Sequence, residues 1–116
     1  MAVRHVRAAD IEHDRPSIEH RGFTASIVRF DAGAGRSEPW HHHGEHHLVA
    51  YVIAGAIRIE SGPGGTLVTE FAPGDLIHIE PRTVHRETYE GRIELVGFSS
   101  GTGVGRVDVA MPDLFP

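Results

Sequence analysis

The stretch Leu48–Glu60, LVAYVIAGAIRIE, sets the reading of the whole chain. β-Branched and aromatic residues lie on both sides of Ala54–Gly55, and a glycine is free to take the positive φ that tight turns require. The pattern predicts a hairpin turning at Ala54–Gly55. Leu48–Ile53 is apolar at successive positions instead of alternating, which predicts a strand buried on both faces. Working outward, the runs FTASIVRF (23–30), TLVTEF (66–71), LIHIE (76–80), VHRETY (84–89), RIELVGF (92–98) and VDVAM (107–111) are strand-like. AGAG, SGPGG, APGD, PRT and EG punctuate them. A second hairpin is expected through Gly62–Gly65. No helix-length apolar periodicity occurs between Phe23 and Val109, so residues 22–116 read as all-β, a sandwich or small barrel of antiparallel strands. Residues 1–21 mix charged and small residues and read as an arm that lies on the surface or reaches a partner subunit.

Composition narrows the function. The chain has 116 residues, enough for one domain with its own core. It has no Cys, and all eleven basic residues are Arg. Thiol nucleophiles, Cys-ligated metals, Schiff-base lysines and P-loop lysines are therefore excluded. A formal charge of −5 with no basic block argues against nucleic acid as a partner. No apolar run approaches the ~20 residues that span a bilayer, and the start MAVRHVRAADIEHDR lacks an apolar signal region, so a cytoplasmic protein without a membrane partner is expected.

Histidine stands out, with ten in the chain and five between His41 and His47. In a strand, alternate side chains share a face, so His41 and His43 sit together. If the register continues, Glu45 and His47 join them while His42 and His46 face away. Gly44 is where that register can break. Neutral imidazole ligates Zn, Fe, Mn, Ni and Cu, and a site needs three or four donors. His85, just after the turn PRT, is the natural donor from a neighbouring strand. The competing reading of HHHGEHH is a solvated turn that binds metal incidentally.

Two segments resemble the motifs of the cupin superfamily. His41-x-His43-x3-His47 followed by LVAYVIAGAIRIE is similar to the first, an HxH pair with a Glu three or four residues later and then a strand ending at a Gly turn. Pro73-Gly74-Asp75-LIHIE-Pro81-x3-His85 is similar to the second. The resemblance implies a double-stranded β-helix barrel holding one divalent transition metal on His41, His43, His47 and His85. It also implies pairing of two copies as a homodimer. Three departures accompany it. His47 stands where the family usually has Glu. Gly55 lies eight positions beyond His47, one more than usual, so either a β-bulge near His46–His47 restores the alignment or His46 replaces His47 as the inward residue. Tyr89 stands where an Asn often follows, and Arg82 replaces a Gly.

Glu45, beside the ligand candidates, is the candidate catalytic residue, as general base, further ligand or acceptor for an imidazole N–H. A solvated loop Glu is the plainer alternative. His78 either lines the pocket or lies outside, whereas Tyr51, Tyr89 and Trp40 read as packing residues. GTGVG (101–105) has no helix after it to make a phosphate loop and reads as a turn. Two functions remain open. One is a metal-dependent enzyme acting on a small organic molecule, by dioxygenase chemistry with iron or by Lewis-acid isomerase or lyase chemistry with other ions. The other is a non-catalytic module that binds or senses a small molecule.

Overall fold

The computed structural model describes residues 2–110. Strands dominate it: β1 (Ile18–His20), β2 (Phe23–Asp31), β3 (Arg36–Ser37), β4 (His41–His42), β5 (His47–Ser61), β6 (Leu67–Phe71), β7 (Leu76–Ile79), β8 (His85–Ser100) and β9 (Val107–Asp108). Short 3₁₀ turns occupy Ala8–Asp10 and Pro63–Gly65. The expected last strand reached Met111, which lies outside the described residues.

β8 is the axis of the fold. Along one edge it pairs antiparallel with β5, from His47 opposite Ser100 to Ser61 opposite His85. Along the other it takes β2, then β3 and β4. β7 and β6 continue outward from β5, β1 flanks β2, and β9 flanks β4. The result is a curled antiparallel sheet, the double-stranded β-helix.

The turn expected at Ala54–Gly55 is instead a bend within one strand. β5 runs unbroken through it, and the break in the β8 run at Glu90–Gly91 is likewise bridged. Ala54 opposes Glu94, but Ala56 opposes Glu90, so β8 carries two surplus residues at the corner. Gly55 has φ 92° and Gly91 φ 79°. A Cβ on Gly55 would lie 2.4 Å from Ile93 Cδ1 and 2.7 Å from the Arg92 carbonyl oxygen, so only glycine fits. The turn before β7 docks on the corner, where Gly74 N–H donates to the Val52 carbonyl (2.8 Å) and Val52 N–H to that of Asp75 (3.0 Å). The second expected hairpin is present, with β5 turning into β6 through Gly62–Gly65.

The corner also shifts which side chains face inward. Before it Val52 is buried, and after it Ile57 and Ile59 are, so the inward set passes from even to odd positions. With Ile77 and Ile93 they form the core, against which Phe30, Tyr89 and Leu95 pack. The expectation that Leu48–Ile53 is buried on both faces is therefore corrected. Val49, Tyr51 and Ile53 are 37%, 44% and 41% exposed, because no second layer covers that face. Their cross-strand neighbours extend it: Phe98 opposes Val49 and Ala25, Val96 opposes Tyr51 and Ile27, and Leu76 opposes Tyr51. No helix among the described residues is long and apolar enough to cross a membrane.

Candidate metal centre

β4 is only two residues long, and its position fixes the site. His41 is the direct cross-strand partner of His85, so their side chains emerge side by side into the interior. Their ring centroids lie 4.4 Å apart, and His43 joins them at 4.9 Å from His41 and 5.1 Å from His85. Glu87, two residues beyond His85 and so on the same face of β8, completes the group. One donor atom from each of the four lies within 4.8 Å of all the others.

Backbone carbonyls aim the imidazoles. Nδ1 of His41 meets the Pro39 oxygen at 2.6 Å, Nδ1 of His43 that of Gly105 at 2.9 Å, and Nδ1 of His85 that of Thr83 at 2.8 Å. A carbonyl oxygen only accepts, so each Nδ1 carries a proton and each Nε2 is left for the interior. Such an outer partner is what holds a metal-ligating histidine in orientation. Glu87 Oε1 lies 2.8 Å from His85 Nε2, and Oε2 lies 3.4 Å from His41 Nε2.

Burial makes this cluster electrostatically tense. His41 and His85 are almost wholly enclosed, and Glu87 is buried. Burial opposes the charged form of His41, yet the Glu87 carboxylate and the Pro39 carbonyl beside it raise its pKa above the ordinary imidazole value. Burial drives His43 down to about 4. Burial pushes Glu87 up, but the imidazoles of His41 and His85 outweigh it and hold its carboxyl well below the usual carboxylate range. His43 Nε2 and Glu87 Oε2 are buried with no hydrogen-bond partner, a costly arrangement in an apolar interior. A divalent cation among the four donors satisfies both orphaned atoms and the carboxylate charge, so the residues fit a metal.

The other residues singled out in the sequence lie elsewhere. His47 is exposed, and its Nδ1 sits 3.0 Å from Nε2 of His78 on the outer face, with the rings stacked at 5.3 Å. The reason is Gly44, at φ 58°, which begins a turn closed by His46 N–H to the His43 carbonyl. That turn breaks the register which was expected to carry His43 on to His47, and the irregularity in β5 falls at 52–56 instead of at His46–His47. His46 reaches the Gly103 carbonyl at 3.2 Å and also stays outside the cluster. Glu45 is exposed, 3.5 Å from Arg82, and is not brought to the imidazoles. His42 Nδ1 accepts from Gly44 N–H. The Gly-rich segment after Ser100 is an irregular loop between β8 and β9, and its Gly105 carbonyl orients His43. Glu87 was missed by the sequence reading, although its signal was available: in a strand starting at His85, the next side chain on that face is residue 87.

The family profile described as "Cupin domain" matches residues 26–97. The chain belongs to the cupin family. Solved structures agree on the fold. An uncharacterised double-stranded β-helix protein from Klebsiella pneumoniae superposes with TM-score 0.66 at 20% identity, covering 82% of this chain and 81% of that one. KdgF from a Halomonas species gives TM-score 0.59 at 24% identity, covering 77% of each chain. The DMSP lyase DddQ from Ruegeria pomeroyi gives 0.63 at 20% identity, covering 78% of this cupin and 44% of the larger protein. Curated protein sequences include no match.

Proposed function

We propose that this cupin is an enzyme that holds one divalent transition ion on His41, His43, His85 and Glu87 and acts there on a small organic molecule. The observation that carries the reading is the set of three imidazoles, each with Nδ1 tied to a carbonyl, gathered with a buried carboxylate so that one donor atom of each residue lies within 4.8 Å of the others. Three nitrogens and one oxygen suit zinc, iron, manganese, nickel or copper, and leave coordination positions open on the larger-coordination ions. Such an ion supplies Lewis acidity, or dioxygen chemistry when it is iron. The lyase among the structural relatives is in keeping with the first of these.

The chain's own residues prepare the reaction space. Tyr89 follows Glu87 on the inward face of β8, packed edge-on against Phe30 at 5.0 Å. Burial and the nearby carboxylates of Glu87 and Glu38 push its phenol upward, so it remains an O–H donor at neutral pH. It can orient an oxygen of a bound molecule without taking on charge. His47 and Glu45, ligand and base by the sequence reading, have no place in this proposal.

The exposed apolar face around Val49, Tyr51 and Phe98 supports pairing of two copies, since a monomer leaves this much apolar sheet in water at a cost. The mass in solution is then twice the 12.7 kDa of one chain. Metal analysis of untagged protein after loading with each ion, followed by turnover screens of the loaded forms, tests the main reading. One equivalent per chain with turnover of a small molecule supports it. Binding without turnover moves the assignment to a non-catalytic module, and failure to retain any ion overturns it.

A further inference from the structure

A cavity of about 660 Å³ opens between β2, β3, the arm residues 13–16 and Arg106. Ser26, Val28 and Phe30 form its floor, and its charged lining is four guanidiniums (Arg15, Arg29, Arg36, Arg106) against the carboxylates of Asp14 and Glu38. Arg15 and Arg29 are already committed, to Glu12 at 2.8 Å and Glu94 at 2.9 Å. Arg36 and Arg106 are paired as well, but to a common partner. They share one carboxylate inside the cavity, Glu38, at 3.2 and 3.7 Å.

Arg36 is held in place by its own geometry, its guanidinium carbon 4.9 Å from the centre of the Phe30 ring. Arg106 is braced by Asp108, whose Oδ1 accepts from Nε at 2.9 Å. Both side chains stay about half exposed. The backbone joins the cavity to the metal centre, since Glu38 N–H donates to the Glu87 carbonyl at 2.9 Å.

We propose that Arg36 and Arg106 form a carboxylate-binding subsite, so that the substrate of this cupin is a small organic acid. Its carboxylate docks at the two guanidiniums, which the Glu38–Glu87 backbone hydrogen bond sets beside the strand that carries the cluster. The proposal rests on the reading of that cluster as the reacting centre. Guanidinium groups favour planar, two-pronged acceptors, and a pre-positioned pair binds one with little further ordering. The cavity volume is that of ordinary small-molecule sites.

The test uses metal-free protein and two probe acids, pyruvate and benzoate, each beside its neutral amide, with side-chain N–H resonances of arginine followed by NMR. The expected result is saturable binding of the acids with shifts at Arg36 and Arg106, and none of the amides. Affinity should fall about tenfold in Arg36→Gln and in Arg106→Gln, the loss of one charge-assisted contact. Arg58→Gln, whose residue lies outside the cavity, should leave it unchanged. Absence of acid binding, equal binding of acids and amides, or unchanged affinity in both variants overturns the subsite. Zinc uptake measured separately on the same proteins shows whether the metal reading stands or falls independently.

Discussion

Two groups of histidines lie within a few residues of each other in the sequence and on opposite sides of the same sheet. Inside, His41, His43 and His85 each have Nδ1 fixed by a carbonyl, and they surround a buried carboxylate. Outside, the His47 and His78 rings hydrogen-bond to one another, and among the described residues no acid joins them in a metal-binding group. Residue type is common to both groups. What separates them is enclosure, a third and fourth donor, and an outer partner that fixes the tautomer. A pair of imidazoles in water satisfies itself, whereas the inner group has two buried atoms without a hydrogen-bond partner.

The comparison breaks most readily by mutation of its members. His43→Ala and His85→Ala should each remove stoichiometric metal, with affinity falling a hundredfold or more, beyond the roughly 10–100-fold typical of losing an outer partner. His47→Ala and His78→Ala should leave metal content unchanged, as read by metal analysis after dialysis. If His47→Ala also loses the ion, the inner and outer groups are not independent.

A smaller effect is expected at the corner that separates the two faces. Gly55→Val forces a side chain against Ile93 and Arg92 at positive φ, and should cost about 2–4 kcal/mol in denaturant unfolding. Ile93→Ala, 2% exposed in the core, should cost about 3 kcal/mol by leaving a cavity. An unchanged midpoint in Gly55→Val would mean that the bend does not depend on glycine.

Acid should sharpen the contrast more gently. Metal binding needs neutral imidazoles, and the raised pKa of His41 lets protons compete from above its ordinary value of 6.5 downward. The zinc-induced rise in Tm should therefore shrink as pH falls from 7.5 to about 5. In metal-free protein, His43 favours the neutral form in the folded state. Its contribution is full above 6.5 and is lost as pH falls toward about 4. Glu87 acts in the same direction at lower pH, since its depressed pKa contributes stability above about 4.5 that is lost on further acidification. His41 acts oppositely, contributing below 6.5 and losing that contribution as pH rises through its folded value. Scanning calorimetry with and without zinc separates these effects. A pH-independent zinc shift would contradict the ligand assignment.

Much of this architecture is legible in the sequence, and the misses have physical causes. The runs beginning at Phe23, Leu67 and Leu76 become strands because β-branched and aromatic residues alternate there between glycine and proline breaks. Gly55 and Gly91 look like turns because local sequence does not distinguish a chain that reverses from one that bends. That difference is set by the partner strand, where two surplus residues absorb the corner. The exposure of Val49, Tyr51 and Ile53 was hidden for a related reason: an unbroken apolar run says that both faces avoid water, not what covers each of them. Residue type and spacing point to His41, His43 and His85, whereas Glu87 lies two residues along the strand from His85 and no histidine pattern marks it. His47 was drawn in by assuming that strand alternation survives Gly44, where the chain turns instead.

The central claim is that the centre comprises three imidazoles and one carboxylate. X-ray absorption spectroscopy of the protein loaded with one equivalent of zinc tests it directly. The account predicts three imidazole nitrogens and a carboxylate oxygen at about 2.0–2.2 Å, with the imidazole scattering unchanged in His47→Ala. A shell of four imidazoles that drops to three in that variant would contradict it.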